Sequence, residues 1–225
     1  MLNEVKFGLK LVKYGFKIKW NMIMMAVFLL IGFTVEIISQ GTQFLGGFYL
    51  IITAMFLYQM IISMDISPYI QSSKWKKKLQ TTTPAYVSSV LYILILTAVL
   101  IERSIIIYVH PEKEHEALAS FAELLILLII AIIYTGFAYK YFIISTVGLF
   151  AAVMVVFVIG AYENICMSIA ENINIAGMAV LAYAGVIIGT VIEIVISQLL
   201  YKKEISAKAF PGMNKMQLKF SALTW

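Results

Sequence analysis

Apolar positions in this chain run in long blocks, and the polar positions gather between them. Six blocks stand out, at about Asn21 to Ser39, Phe44 to Ser63, Ala85 to Val109, Ala119 to Tyr139, Tyr141 to Ala161 and Asn174 to Tyr201. A helix needs about 20 mainly apolar residues to cross a hydrocarbon core about 30 Å thick, so each block predicts one transmembrane helix. The fourth and fifth are separated only by Tyr-Lys-Tyr around Lys140. Together they exceed one crossing, which predicts a tight helical hairpin turning at Lys140.

Three shorter stretches carry other patterns. In "VKFGLKLVKYGFKIKW", Lys6, Lys10, Lys13 and Lys17 recur at helical spacing, and Phe7, Leu11, Tyr14 and Ile18 follow one step along. The pattern predicts an amphipathic helix within residues 1–20, lying in the headgroup plane with Trp20 at the interface. A plain stop-transfer flank is the alternative. The connection over residues 64–83 is long for two neighbouring helices, which usually need about two to eight residues. Ser67 and Pro68 in "DISPY" suit a helix start, and that helix is expected to run through Trp75 toward Lys78. Thr81, Thr82 and Thr83 are then candidate caps for the third span, with Pro84 at its beginning. Finally, "YENICMSIAENIN" is too short to cross yet apolar at its centre, and predicts a short re-entrant helix over residues 162–173.

Composition supports the same class. The chain is 62% hydrophobic and 13% charged, against about 25% charged in soluble domains, and its mean hydropathy is +0.93. It reads as an all-α polytopic membrane protein, one domain over residues 1–225. The net charge of +5 lies beside apolar spans, so it faces anionic lipid and not nucleic acid. With the amino terminus inside, 15 of the 17 basic residues fall in inner segments, leaving only Arg103 and Lys113 outside. Both termini are therefore expected in the cytoplasm. The acidic residues Glu102, Glu112, Glu114, Glu116, Glu163 and Glu171 mirror this at the outer face. The extended basic start and the full-length span after it do not suit a cleavable signal peptide.

Charges within or beside the spans are few. Glu36, Glu102, Arg103 and Glu123 fall near the outer ends of spans one, three and four, and form a candidate ion cluster around the one cation. Glu193, in "GTVIEIVISQLL", lies inside span six without a local cation. A charge at that depth costs about 2.5–3.5 kcal/mol on insertion scales, so it needs a partner or a polar interior. Glu193 is the candidate intramembrane polar site. Cys166 is the sole cysteine, which excludes an internal disulfide. No phosphate-binding GxxxxGK[ST] loop, HExxH pair or GxSxG elbow occurs, and "HPEKEHEA" with His110 and His115 reads as a solvated loop. An enzyme is therefore not expected, and no catalytic, metal or cofactor site is assigned to the chain.

Six spans with both ends inside, a basic amphipathic helix first, a helical loop between spans two and three and a re-entrant piece between five and six resemble the membrane subunit of an ABC-2 type exporter. The stretch "SPYIQSSKWKKKLQTTTPAYVSSV" is similar to the corresponding loop of compact members of that family. The resemblance implies a permease that dimerises, as a homodimer or heterodimer, and pairs with a separate ATPase subunit that alone binds ATP and Mg. Ser67, Pro68, Tyr69, Lys74, Trp75 and Lys78 would meet the ATPase, within a coupling element from Ser67 to Lys78. Phe7 through Trp20 would form the interfacial helix, and Ile165 through Asn172 the outer re-entrant piece. Such members are linked to export of amphipathic peptides or to self-protection against peptide antibiotics, which implies a bacterial plasma membrane, and walls rich in Ile, Val, Phe and Met suit amphipathic or lipid-like cargo. The alternative is a membrane assembly or immunity protein that acts by binding alone. A secondary transporter would call for two similar inverted halves, whereas the segment at residues 162–173 occurs once.

Overall fold

The structure is a computed structural model describing residues 2–15, 17–66, 68–158 and 161–206; side chains at 2, 65–66, 68–69, 155–158 and 161–163 fall outside the description. Its α-helices, in chain order, are α1 (Leu2–Val12), α2 (Ile18–Ser39), α3 (Leu45–Ile62), α4 (Pro68–Gln71), α5 (Lys76–Gln80), α6 (Thr82–Val109), α7 (Glu114–Ala138), α8 (Phe142–Val158), α9 (Ala161–Asn172) and α10 (Ile175–Leu199). No strand occurs among the described residues.

Five helices, α2, α3, α6, α7 and α10, are long and apolar enough to cross a membrane. The chain therefore has the build of a multi-pass membrane protein. Helix α8 is equally apolar but shorter, at 17 residues or about 26 Å. The hairpin expected at Lys140 is present, since α7 and α8 are joined only by Tyr139–Tyr141.

Helix α7 is the hub, packing against α3, α6, α8, α9 and α10. Its neighbours close around Phe121, Leu124, Leu128 and Ile132, with Leu50 and Ala54 from α3, Tyr92 and Leu96 from α6, and Met178 and Ala182 from α10. Small residues set the approach. A β-carbon on Gly136 would lie 3.3 Å from Ile196, and one on Gly189 would lie 3.0 Å from Ile132, so α7 and α10 touch nearly backbone to backbone. Helices α2 and α8 lie at the periphery, α2 chiefly on α3 and α8 chiefly on α7. Helix α9 lays Cys166 and Ala170, one turn apart, into the central core, while Ile165, Ser168 and Glu171 stay exposed.

Three local expectations need correction. The amphipathic helix does not run to Trp20: α1 ends at Val12, the chain turns at residues 13–15, Lys17 is left-handed at φ 49°, and Trp20 belongs to α2. Backbone bonds from Tyr14 to Leu11 and from Gly15 to Val12 close α1 early, and Gly15 sits against the Met60 carbonyl where a β-carbon would come within 2.9 Å. The loop helix is broken into α4 and α5. Ser73 causes the break, donating to the Ile70 carbonyl at 3.0 Å and accepting from the Trp75 amide at 3.2 Å, bonds that compete with helical ones. Nor do the threonines cap α6. Thr81 and Thr82 donate backward to the Lys77 and Lys78 carbonyls, and Thr83 reaches Glu4.

Candidate functional site

Polar chemistry concentrates at three levels: the lysine-rich end, the middle of the bundle and the opposite end. At the lysine-rich end, α1 lies across the start of α6. Gly8 makes this possible, because a β-carbon there would stand 2.5 Å from Val87 and 2.9 Å from Thr83. On either side of Gly8, α1 grips the connection between α3 and α6. Phe7 meets the Trp75 ring with centroids 5.6 Å apart, and Glu4 pairs with Lys78 at 2.8 Å and accepts from Thr83 at 3.3 Å. Lys78 and Lys74 lie over the Trp75 ring at 5.2 and 5.7 Å. Trp75 remains 42% exposed. Of the six residues expected to meet a partner, Lys74, Trp75 and Lys78 are thus gathered on one face with α1; Ser67 lies outside the described residues, as do the side chains of Pro68 and Tyr69.

The far end of the same connection is fastened by Lys140. This lysine is buried, and its ammonium donates to Gln80 Oε1 at 3.2 Å and to the carbonyls of Tyr201 and Lys203. The Ser206 amide donates to the Tyr139 carbonyl at 2.9 Å, and the Tyr139 hydroxyl to that of Ser197 at 3.2 Å. One crossbar therefore ties together α1, α5, the beginning of α6, the α7/α8 turn and the end of α10. The sequence pattern shows neither Glu4 nor Lys140 as a site. Glu4 is the sole acidic residue before Glu36, which is the only hint of it. Lys140 looks like any inward lysine.

The Glu4 carboxyl is held below the usual carboxylate range first by its hydrogen bond from Lys78; burial opposes this, and that cation's charge and the Thr83 hydrogen bond add to the lowering. A depressed folded value means the pair stabilises above about pH 4.5 and is lost as pH falls through the folded value. Lys78 is half exposed, so the contribution is below about 1 kcal/mol. Trp75 fluorescence should accordingly shift as acid releases α1, and Glu4→Gln should show the released signal at neutral pH; an identical titration in wild type and variant would remove the pair from the account.

In the middle of the bundle, Glu193 is 1% exposed on α10, facing Gly136 and beside the Thr135 hydroxyl. Its Oε1 has no hydrogen-bond partner, nor has the buried Tyr92 hydroxyl on α6. Tyr58 on α3 donates to the Thr135 carbonyl at 2.8 Å. Four helices thus bring polar groups to one buried level.

At the opposite end, Arg103 is fully buried and pairs with Glu36 at 2.8 Å and Glu102 at 3.1 Å, while its second amino group also donates to Ser120 at 3.3 Å. Glu123, the fourth member expected, lies one turn beyond Ser120 on α7 and is itself engaged. The α2–α3 turn is built around the guanidinium. Gly41, at φ +69°, presses on Arg103 where a side chain would collide, and Gly46 lies against the Glu36 backbone. Lys113 bonds to Gln40 and closes this end. Among the described residues, no three His, Cys, Asp or Glu side chains gather to hold a metal ion.

Comparison with known proteins finds no matching family model, curated protein or solved structure.

Proposed function

We propose that this chain is the membrane permease of an ATP-driven exporter of the ABC-2 type, with its ATPase on a separate subunit. In this reading α8 is the sixth span, both termini and the crossbar face the cytoplasm, and α9 is the outer re-entrant piece. The observation that carries it is the crossbar. A partner's motion reaches the membrane only through an element joined to the spans, and here α5 and Trp75 are joined to α1, α6, α7 and α10 by named contacts. Lys74, Trp75 and Lys78 offer a cationic surface with one half-exposed aromatic, the kind of anchor that dominates protein interfaces. Fifteen of the 17 basic residues lie on this side by the topology above, as a cytoplasmic face demands. The apolar walls suit an amphipathic peptide or lipid-like cargo, and two copies would enclose its path. The plasma membrane of a bacterium is the expected location.

Purification in mild detergent from the native cell should retain an ATPase subunit. Trp75→Ala should weaken that complex by at least about 2 kcal/mol, roughly thirty-fold in affinity, while membrane insertion is unchanged. Repeated isolation of the chain with no ATPase would instead favour an assembly or immunity protein acting by binding.

A further inference from the structure

Helices α7 and α8 leave a lateral groove of about 550 Å³ between them. Its walls include Ile133, Phe137, Tyr141, Ile144, Gly148 and Ala152. Ser145, also on the wall, has its hydroxyl turned back to the Tyr141 carbonyl at 2.8 Å. The outer face of α8 beside the groove is apolar and exposed, with Ile143, Val147, Phe150 and Met154. In a spanning helix that face meets hydrocarbon, so the groove opens to lipid and not to water.

Its length suits one acyl chain. From Tyr141 at the turn to Ala152 is about 16 Å along α8, close to the depth of one leaflet at about 15 Å. An extended hydrocarbon chain can lie along an open apolar groove of that length. Charge completes the case. The groove begins at the Tyr139–Tyr141 turn, where the 201–206 segment is pinned by Lys140 and Tyr139. Lys202 and Lys203 are exposed there against the single acid Glu204, which suits an anionic headgroup at the membrane surface.

We infer that the groove between α7 and α8 is a binding site for one acyl chain of an anionic glycerophospholipid from the lysine-side leaflet, with Lys202 and Lys203 facing its headgroup. The groove shares only the 201–206 segment with the crossbar, and lipid binding there does not depend on a partner ATPase. The lipid fills the space that packing of α8 leaves open, so it is a structural ligand of the hairpin.

Two glycines make the test clean. A β-carbon on Gly148 meets nothing within 4 Å, and the same holds for Gly185 on α10, away from the groove. The full chain would be reconstituted in vesicles of equal phosphatidylcholine and phosphatidylglycerol, extracted in mild detergent and weighed by native mass spectrometry. Wild type and Gly185→Phe should retain phosphatidylglycerol, and Gly148→Phe should retain about five-fold less as its ring takes the place of lipid contacts. Ala152→Phe is a second groove-filling variant, with folding of each checked by protection of the buried Cys166 thiol. The double change Lys202→Gln and Lys203→Gln should keep a lipid but lose the preference for phosphatidylglycerol. Equal retention in wild type and both groove-filling variants, or a disulfide between two copies through Gly148→Cys, would overturn the site.

Discussion

Replacing Arg103 by alanine is expected to lower the unfolding midpoint in detergent by about 10 °C. The guanidinium is fully buried and pairs with two carboxylates, of which Glu36 is 1% exposed. Removing it leaves both acids without that cation, and breaking a buried pair in this way costs about 3–5 kcal/mol. In a chain of this length each kcal/mol moves the midpoint by about 2–4 °C. Arg103→Lys keeps the charge but not the planar fork that reaches Glu36, Glu102 and Ser120 together, so it should fall between. Adding Glu36→Gln and Glu102→Gln to Arg103→Ala should recover most of the loss, since the burden is uncompensated charge more than missing attraction. Cys166, the sole thiol and buried, gives the readout through a fluorogenic maleimide. A midpoint for Arg103→Ala within about 2 °C of wild type would show the acids to be solvated there.

Lys140→Met should have the second largest effect, and on dynamics more than on topology. The substitution removes the donor from Gln80 and from the carbonyls of Tyr201 and Lys203, with hydrogen bonds from a charged donor worth about 1.5–3 kcal/mol each before relaxation. Hydrogen exchange over Tyr201–Ser206 and around Gln80 should rise toward the rate of exposed amides. Orientation should hold, because only one of the 15 cations that the charge count assigns to one side is lost and the bias remains. Lys74→Gln is the matching control: its cation lies over the exposed Trp75 ring, and exchange in the 201–206 segment should not change. Unchanged exchange in Lys140→Met would mean that backbone bonds alone hold the crossbar.

The helices were legible because hydropathy acts over whole segments. The blocks at Phe44 to Ser63, Ala85 to Val109 and Asn174 to Tyr201 become Leu45–Ile62, Thr82–Val109 and Ile175–Leu199, within a few residues at each end. Arg103 was likewise findable as the cation beside Glu36, Glu102 and Glu123 at the outer ends of spans one, three and four, and Glu193 as a carboxyl without a partner in its own helix. Local rules served less well in the connections. Ser67, Pro68 and the lysines pointed to one helix, yet the Ser73 hydroxyl diverts two backbone bonds and splits it. A single side chain overrides propensity there because each competing piece is only four or five residues long, too short for helix cooperativity to resist.

Sequence by itself located five helices long and apolar enough to cross and the point where the chain doubles back at Lys140, while its fifth block, Tyr141 to Ala161, gives the shorter α8. Hydrocarbon forces every backbone group to bond within its own helix, so the length of an apolar block is enough to decide these things. What tertiary structure alone decided is which of many similar charges matter. Lys140 and Lys74 read alike along the chain, but one is enclosed by the meeting of α5, the hairpin turn and the end of α10, and the other is in the open. Glu4 acquires Lys78, 74 positions away, only because α1 folds back over Gly8 onto α6. Burial and pairing depend on which helices pack together, and interchangeable apolar surfaces leave that choice to the fit of small residues such as Gly8, Gly136 and Gly189.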